Sequence, residues 1–131
     1  MHWKTIYEYY EEAGVSWRVF QDTDNFDDNS LAYFHQYRTA PEGSPLAEKG
    51  MRFPGLHSFY QACADGTLPE VSFIVGPQEL SEHPPWMPKD GAWLQKQVVE
   101  AVMNSPKYNT TLLMVSYDGE CSVFLWLGAC Y

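Results

Sequence analysis

Residues 71–77 read Val-Ser-Phe-Ile-Val-Gly-Pro. A short apolar run closed by a Gly-Pro pair predicts a strand buried on both faces, and the reading of the whole chain follows from it. Upstream, Leu56 to Ala64 has helical spacing and is closed by Asp65-Gly66. Downstream, Gln78 to Lys89 is irregular, with Pro84, Pro85 and Pro88. Ala92 to Met103 follows as the clearest helix, with Leu94, Val98, Ala101 and Val102 on one face, Asp90 as its N-cap and Pro106 beyond its end. Thr111 to Tyr117 then repeats the buried-strand pattern and ends at Asp118.

Nearer the N-terminus, Thr5 to Ala13 predicts a helix stopped by Gly14, with Ile6, Tyr9 and Tyr10 on one face. Val15 to Phe20 alternates like a strand, and Ser30 to Tyr37 reads as a second helix with Leu31, Phe34 and His35 on one side. Between Arg38 and Pro54 no period is sustained, so a long loop is expected. The order is helix, strand, helix, loop, helix, strand, helix, strand. It predicts an α/β fold: a mostly parallel sheet with helices on both faces. Ligands of such sheets sit beyond the carboxyl ends of the strands. Those ends lead here into Asp22, into the loop from Gly76 to His83, and into Asp118.

Seventeen acids against eight bases leave a net charge of −9, and a field of that sign repels phosphate backbones, so nucleic acid is not an expected partner. Phosphate esters stay within reach if a cation lies between carboxylates and substrate. Cys63, Cys121 and Cys130 have no metal-ligand spacing and, being odd in number, define no closed disulfide framework. No stretch has the roughly 18 apolar residues of a membrane-spanning helix. Met1-His2-Trp3-Lys4 has no apolar core of a signal peptide.

Two side chains could carry chemistry. Asp118 ends an apolar run, where a carboxylate serves either as a ligand for a divalent ion or as a turn-initiating acid. His83, in Ser81-Glu82-His83-Pro84-Pro85, is held in a proline-stiffened loop. It can act as an acid, a base or an anion contact, or be a surface histidine. The cluster from Asp22 to Asn29 lacks the glycine and terminal glutamate of a calcium loop and reads as an acidic loop capping the next helix. His35 and His57 fall within helical periods and read as packing or surface residues.

Several ordered stretches resemble one family. They are Thr5-Ile6 with Glu11-Glu12-Ala13-Gly14-Val15-Ser16-Trp17-Arg18-Val19, Asp24-Asn25-Phe26-Asp27-Asp28-Asn29, Gly66-Thr67-Leu68-Pro69-Glu70-Val71-Ser72-Phe73-Ile74-Val75, Ser81-Glu82-His83-Pro84 and Ser116-Tyr117-Asp118. Together they resemble the phosphoesterase family of non-haemolytic phospholipases C and related acid phosphatases. The resemblance implies an alkaline-phosphatase-like α/β/α fold, here incomplete, and hydrolysis of phosphodiesters with a phospholipid or small phosphate ester as substrate. It implies a divalent metal ion, with Asp118 as a ligand and His83 lining the catalytic site.

The family's other metal ligands and its hydroxyl nucleophile have no matched counterpart, so the ion is not expected to be retained, nor the chain to turn over substrate alone. Residues 1–118 are therefore read as a partial phosphoesterase domain. Residues 119–131 depart from the family's pattern and are read as an aberrant tail; Asp-Gly-Glu-Cys at 118–121 is encodable across an intron donor site. Competing readings are a non-catalytic truncated product or an acidic flavodoxin-like binding module.

Overall fold

A computed structural model describes residues 1–117. The tail at 119–131, like Asp118, lies outside the described residues. Two strands form the centre, β1 (Trp17–Gln21) and β2 (Val71–Val75), paired in parallel with Trp17 opposite Val71 and Gln21 opposite Val75. Around them lie α1 (Ile6–Ala13), a short 3₁₀ turn (Ser30–Tyr33), α2 (His35–Arg38), a π-helical turn (Leu46–Met51), α3 (Leu56–Asp65) and α4 (Pro88–Met103). The chain is α/β with helices on both faces of a small parallel sheet.

A parallel pair exposes two apolar faces, and each is covered by different elements. Phe20 and Ile74 face α3 and α4, packing with Leu56, Phe59, Cys63, Val98 and Val102. Trp17, Val19 and Val75 face the opposite way, against Leu31, Tyr37 and partly buried Tyr7, Tyr10 and Met51. The start of both strands is clasped by Glu70, whose carboxylate accepts from the N–H (2.8 Å) and hydroxyl (2.9 Å) of Ser16. These bonds, backbone first, hold the Glu70 carboxyl below its usual range.

Several expectations are corrected. In α1 it is Tyr7 and Tyr10 that pack inward, while Ile6 and Tyr9 are more than half exposed. The helix read over 30–37 is broken at Phe34, which is extended (φ −96°, ψ 132°). The long loop contains the π-helical turn, whose buried Gly50 lies so close to Tyr37 that a Cβ would meet its ring at 3.1 Å. Helix α4 starts earlier, with Pro88 in the first turn; Asp90 is not the N-cap but reaches back from that turn to the N–H of Met87 (3.3 Å). Both residue types suit a helix start, and the sequence does not distinguish their positions.

The largest correction concerns residues 111–117, which form no strand. The sheet has two strands among the described residues. Leu113 packs against the core, but Leu112 and Met114 are more than 80% exposed. An apolar, β-rich run becomes a strand only when a neighbour's edge pairs with its backbone, and 112–117 make no backbone–backbone hydrogen bond among the described residues.

Two predictions follow from this packing. Phe59→Ala should cost about 3–5 kcal/mol in urea unfolding, since the ring is 2% exposed and edge-on to Phe20 at 5.5 Å. Burial pushes the hydroxyls of Tyr7 and Tyr37 from 10.0 to about 12. The folded phenols then hold their protons more tightly than the unfolded ones. Their contribution to stability is complete below about pH 10 and is lost as pH rises toward about 12. Thermal midpoints measured across that window should fall, and fall less in Tyr7→Phe.

Candidate functional site

Parallel strands end on the same side, so the loops after β1 and β2 meet. The Gln78 N–H donates to the carbonyl of Asp24 (2.9 Å), joining them through the backbone. The ring of Phe26, on the first loop, lies 4.9 Å from that of His83, on the second. Thr23, Asp24, Asn25, Phe26, Asp27 and Gln78 line an open cleft of about 490 Å³ beside them.

The acidic loop is held from beneath by neutral amides. Gln21, fully buried at the end of β1, donates to the carbonyl of Arg52 (3.0 Å) and accepts from Asn25 Nδ2 (2.7 Å). Asn29 Nδ2 donates to the carbonyl of Gly50 (2.8 Å), and its Oδ1 accepts from the N–H of Leu31 (3.1 Å). Asn29 thus caps the 3₁₀ turn, the role expected of this loop. The Asp22 carboxylate instead accepts from the N–H of Leu56 (3.3 Å) at the start of α3. Above this base, Phe26 and Asp27 both adopt left-handed backbone (φ 57°), with the Asp27 N–H donating to Asn25 Oδ1 (3.2 Å). Burial, with Asp22 nearby, pushes the hydroxyl of Tyr60 above its usual range.

His83 is exposed, and its Nδ1 lies 2.9 Å from the carbonyl oxygen of Pro84. A carbonyl can only accept, so Nδ1 carries the hydrogen of that bond. Nε2 is left to accept a proton in the neutral ring, or to donate one in the charged ring. The ring of His35 lies tilted against that of His2 with centroids 5.1 Å apart, and His57 is exposed; His35 and His57 are surface residues, as expected. The structure brings His83 to the acidic loop. Asp118, the expected metal ligand, lies outside the described residues. Among those residues no three His, Cys, Asp or Glu side chains gather to hold an ion, so they do not supply its ligand set. Burial pushes the thiol of buried Cys63 up, away from nucleophile chemistry.

The sequence reading missed Gln21, Asn25 and Asn29 as the loop's foundation. The signal was there for Gln21, which continues the inward alternation of Trp17 and Val19.

This is an α/β chain whose candidate site lies beyond the carboxyl ends of parallel strands. The sequence pattern of the phosphoesterase family matches residues 1–124, and the chain belongs to that family. It is 37% identical to the non-hemolytic phospholipase C of Burkholderia pseudomallei, over 93% of this chain and 21% of that protein. Against the non-hemolytic phospholipase C of Pseudomonas aeruginosa it is 40% identical, over 93% and 18%. The non-specific phospholipase C4 of Arabidopsis thaliana is 29% identical, over 88% and 21%. The chain thus spans about a fifth of the length of these relatives.

Losing a partner inside the amide base should cost more than losing the exposed imidazole. Asn25→Ala is expected to destabilise by about 1–3 kcal/mol, because Gln21 Oε1 is left buried and unpaired. His83→Ala should stay within about 0.5 kcal/mol of the parent in the same urea titration.

Proposed function

We propose that this chain forms part of a phosphodiester-hydrolysing site of the phospholipase C type, acting on phospholipid headgroup esters within an alkaline-phosphatase-like fold. Asp118 is a ligand of a divalent ion, and His83 contacts the phosphoryl group or the leaving oxygen through Nε2. The observation that carries this reading is the order of the motifs along one chain, ending in Ser116-Tyr117-Asp118 and joined by family membership. The names of the relatives, all phospholipases C, support the substrate class. The geometry supports a role for His83, since its loop and the acidic loop share one rim.

An ion bound here would neutralise charge on phosphoryl oxygens. The chain's own contribution is positional. The Pro84 carbonyl holds the proton on Nδ1, and the opposite nitrogen is free for proton transfer at an ester oxygen. With Asp118 as the one matched ligand, the chain alone does not fix an ion firmly, since hard cations need several oxygen ligands.

The purified chain should therefore hydrolyse a chromogenic phosphocholine ester negligibly in Mn²⁺, Ca²⁺ or Zn²⁺. An EDTA-sensitive rate abolished by Asp118→Ala would refute that incompleteness. The site roles are tested by replacing the matching stretch of the Pseudomonas aeruginosa relative with residues 71–118. The chimaera should retain hydrolysis and lose about 10²–10⁴-fold with His83→Ala. An unchanged rate would remove His83 from the site.

A further inference from the structure

We propose that Glu82 is a positioning residue, tying the segment that leads into Asp118 to the loop that carries His83. The functional meaning of this tie rests on the reading that those two residues share one site; the tie itself stands on geometry.

Residues 111–117 leave the C-terminal end of α4 and run back along it. Thr111 Oγ1 donates to the carbonyl of Lys107, while at the other end Tyr117 reaches Gln95, in the first half of α4. With no backbone ladder to hold it among the described residues, the far end of this segment is tied by side chains. The Tyr117 hydroxyl donates to Glu82 Oε1 at 3.4 Å, and Gln95 Nε2 donates to that same oxygen at 3.3 Å and to the Tyr117 hydroxyl. Three side chains from three segments close a triangle on one carboxylate oxygen.

Two backbone features show what this arrangement costs. Glu82 adopts left-handed backbone (φ 62°), which a residue with a Cβ rarely does unless its surroundings hold it there. Its side chain lies across the first turn of α4, directly over Gly91. A Cβ at Gly91 would sit 2.2 Å from Cγ and Oε1 of Glu82. A helix-interior glycine is unfavourable relative to alanine, and the close passage of Glu82 accounts for this one. Asp118 follows Tyr117 in sequence and His83 follows Glu82, so this contact joins the residues that precede the two proposed site groups. Glu82 itself touches neither substrate nor ion in this proposal.

The test is chymotryptic cleavage between Leu112 and Asp118 in the folded, purified chain, read by mass spectrometry beside the thermal midpoint. Glu82→Ala, Tyr117→Phe and Gly91→Ala should each raise cleavage at least about fivefold, since each removes or displaces one or two of these hydrogen bonds. The thermal midpoint should stay unchanged in Glu82→Ala and Tyr117→Phe. Tyr117→Phe keeps a side chain the protease accepts and removes only an exposed hydroxyl, so folding is not at issue. Glu82→Gln, which keeps an acceptor oxygen, should cleave at the parent rate. Parent-like cleavage in all three loosening variants overturns the proposal, as does a Glu82→Gln chain cleaved as fast as Glu82→Ala. The assay needs neither metal nor substrate, so a phosphoesterase reading that fails in the chimaera leaves this result standing on its own.

Discussion

Everything else in this chain hangs on the parallel pairing of β1 with β2. A two-stranded ladder is marginal by itself, and here it survives because helices pack against both of its faces, although β2 is less buried than its apolar run predicts and Phe73 stays 44% exposed. Ser16 and Glu70 pin one end, while Gln21 and Asp22 anchor the other to the π-helical turn and the start of α3. The parallel sense matters as much as the pairing. An antiparallel pair would send the loops at 22–29 and 76–83 to opposite ends, and the rim carrying His83 would not exist.

The parts legible in the sequence were those whose signal is local. Val71–Val75 was bounded correctly because Gly76 and Pro77 stop a strand on backbone grounds alone. Gly66 marked the end of α3 because its left-handed conformation (φ 66°) suits glycine. Where the outcome depends on a distant partner, the reading failed. Leu112 and Met114 have strand-like character, yet nothing in their identity says whether an edge lies beside them. The inward face of α1 was misjudged because tyrosine suits both surface and core, and the aromatic contact of Tyr7 with Trp17 at 4.9 Å is a tertiary fact.

The candidate site was half legible for the same reason. Strand order alone located the rim and brought His83 to it, since loops at the carboxyl ends of parallel strands must converge. The partners that orient the imidazole, Phe26 and the carbonyl of Pro84, come from loop geometry that no periodicity encodes. The family resemblance implies what spacing could not, a chemical role for a histidine otherwise indistinguishable from a surface residue.

The amide base under the acidic loop has one more consequence. Gln21, Asn25 and Asn29 bear no charge, and their bonds go to each other and to main-chain carbonyls and N–H groups. Neither counterions nor protons can compete for such bonds as they do for ion pairs. The backbone that presents Asp24 and Asp27 is therefore set by bonds that salt does not screen away.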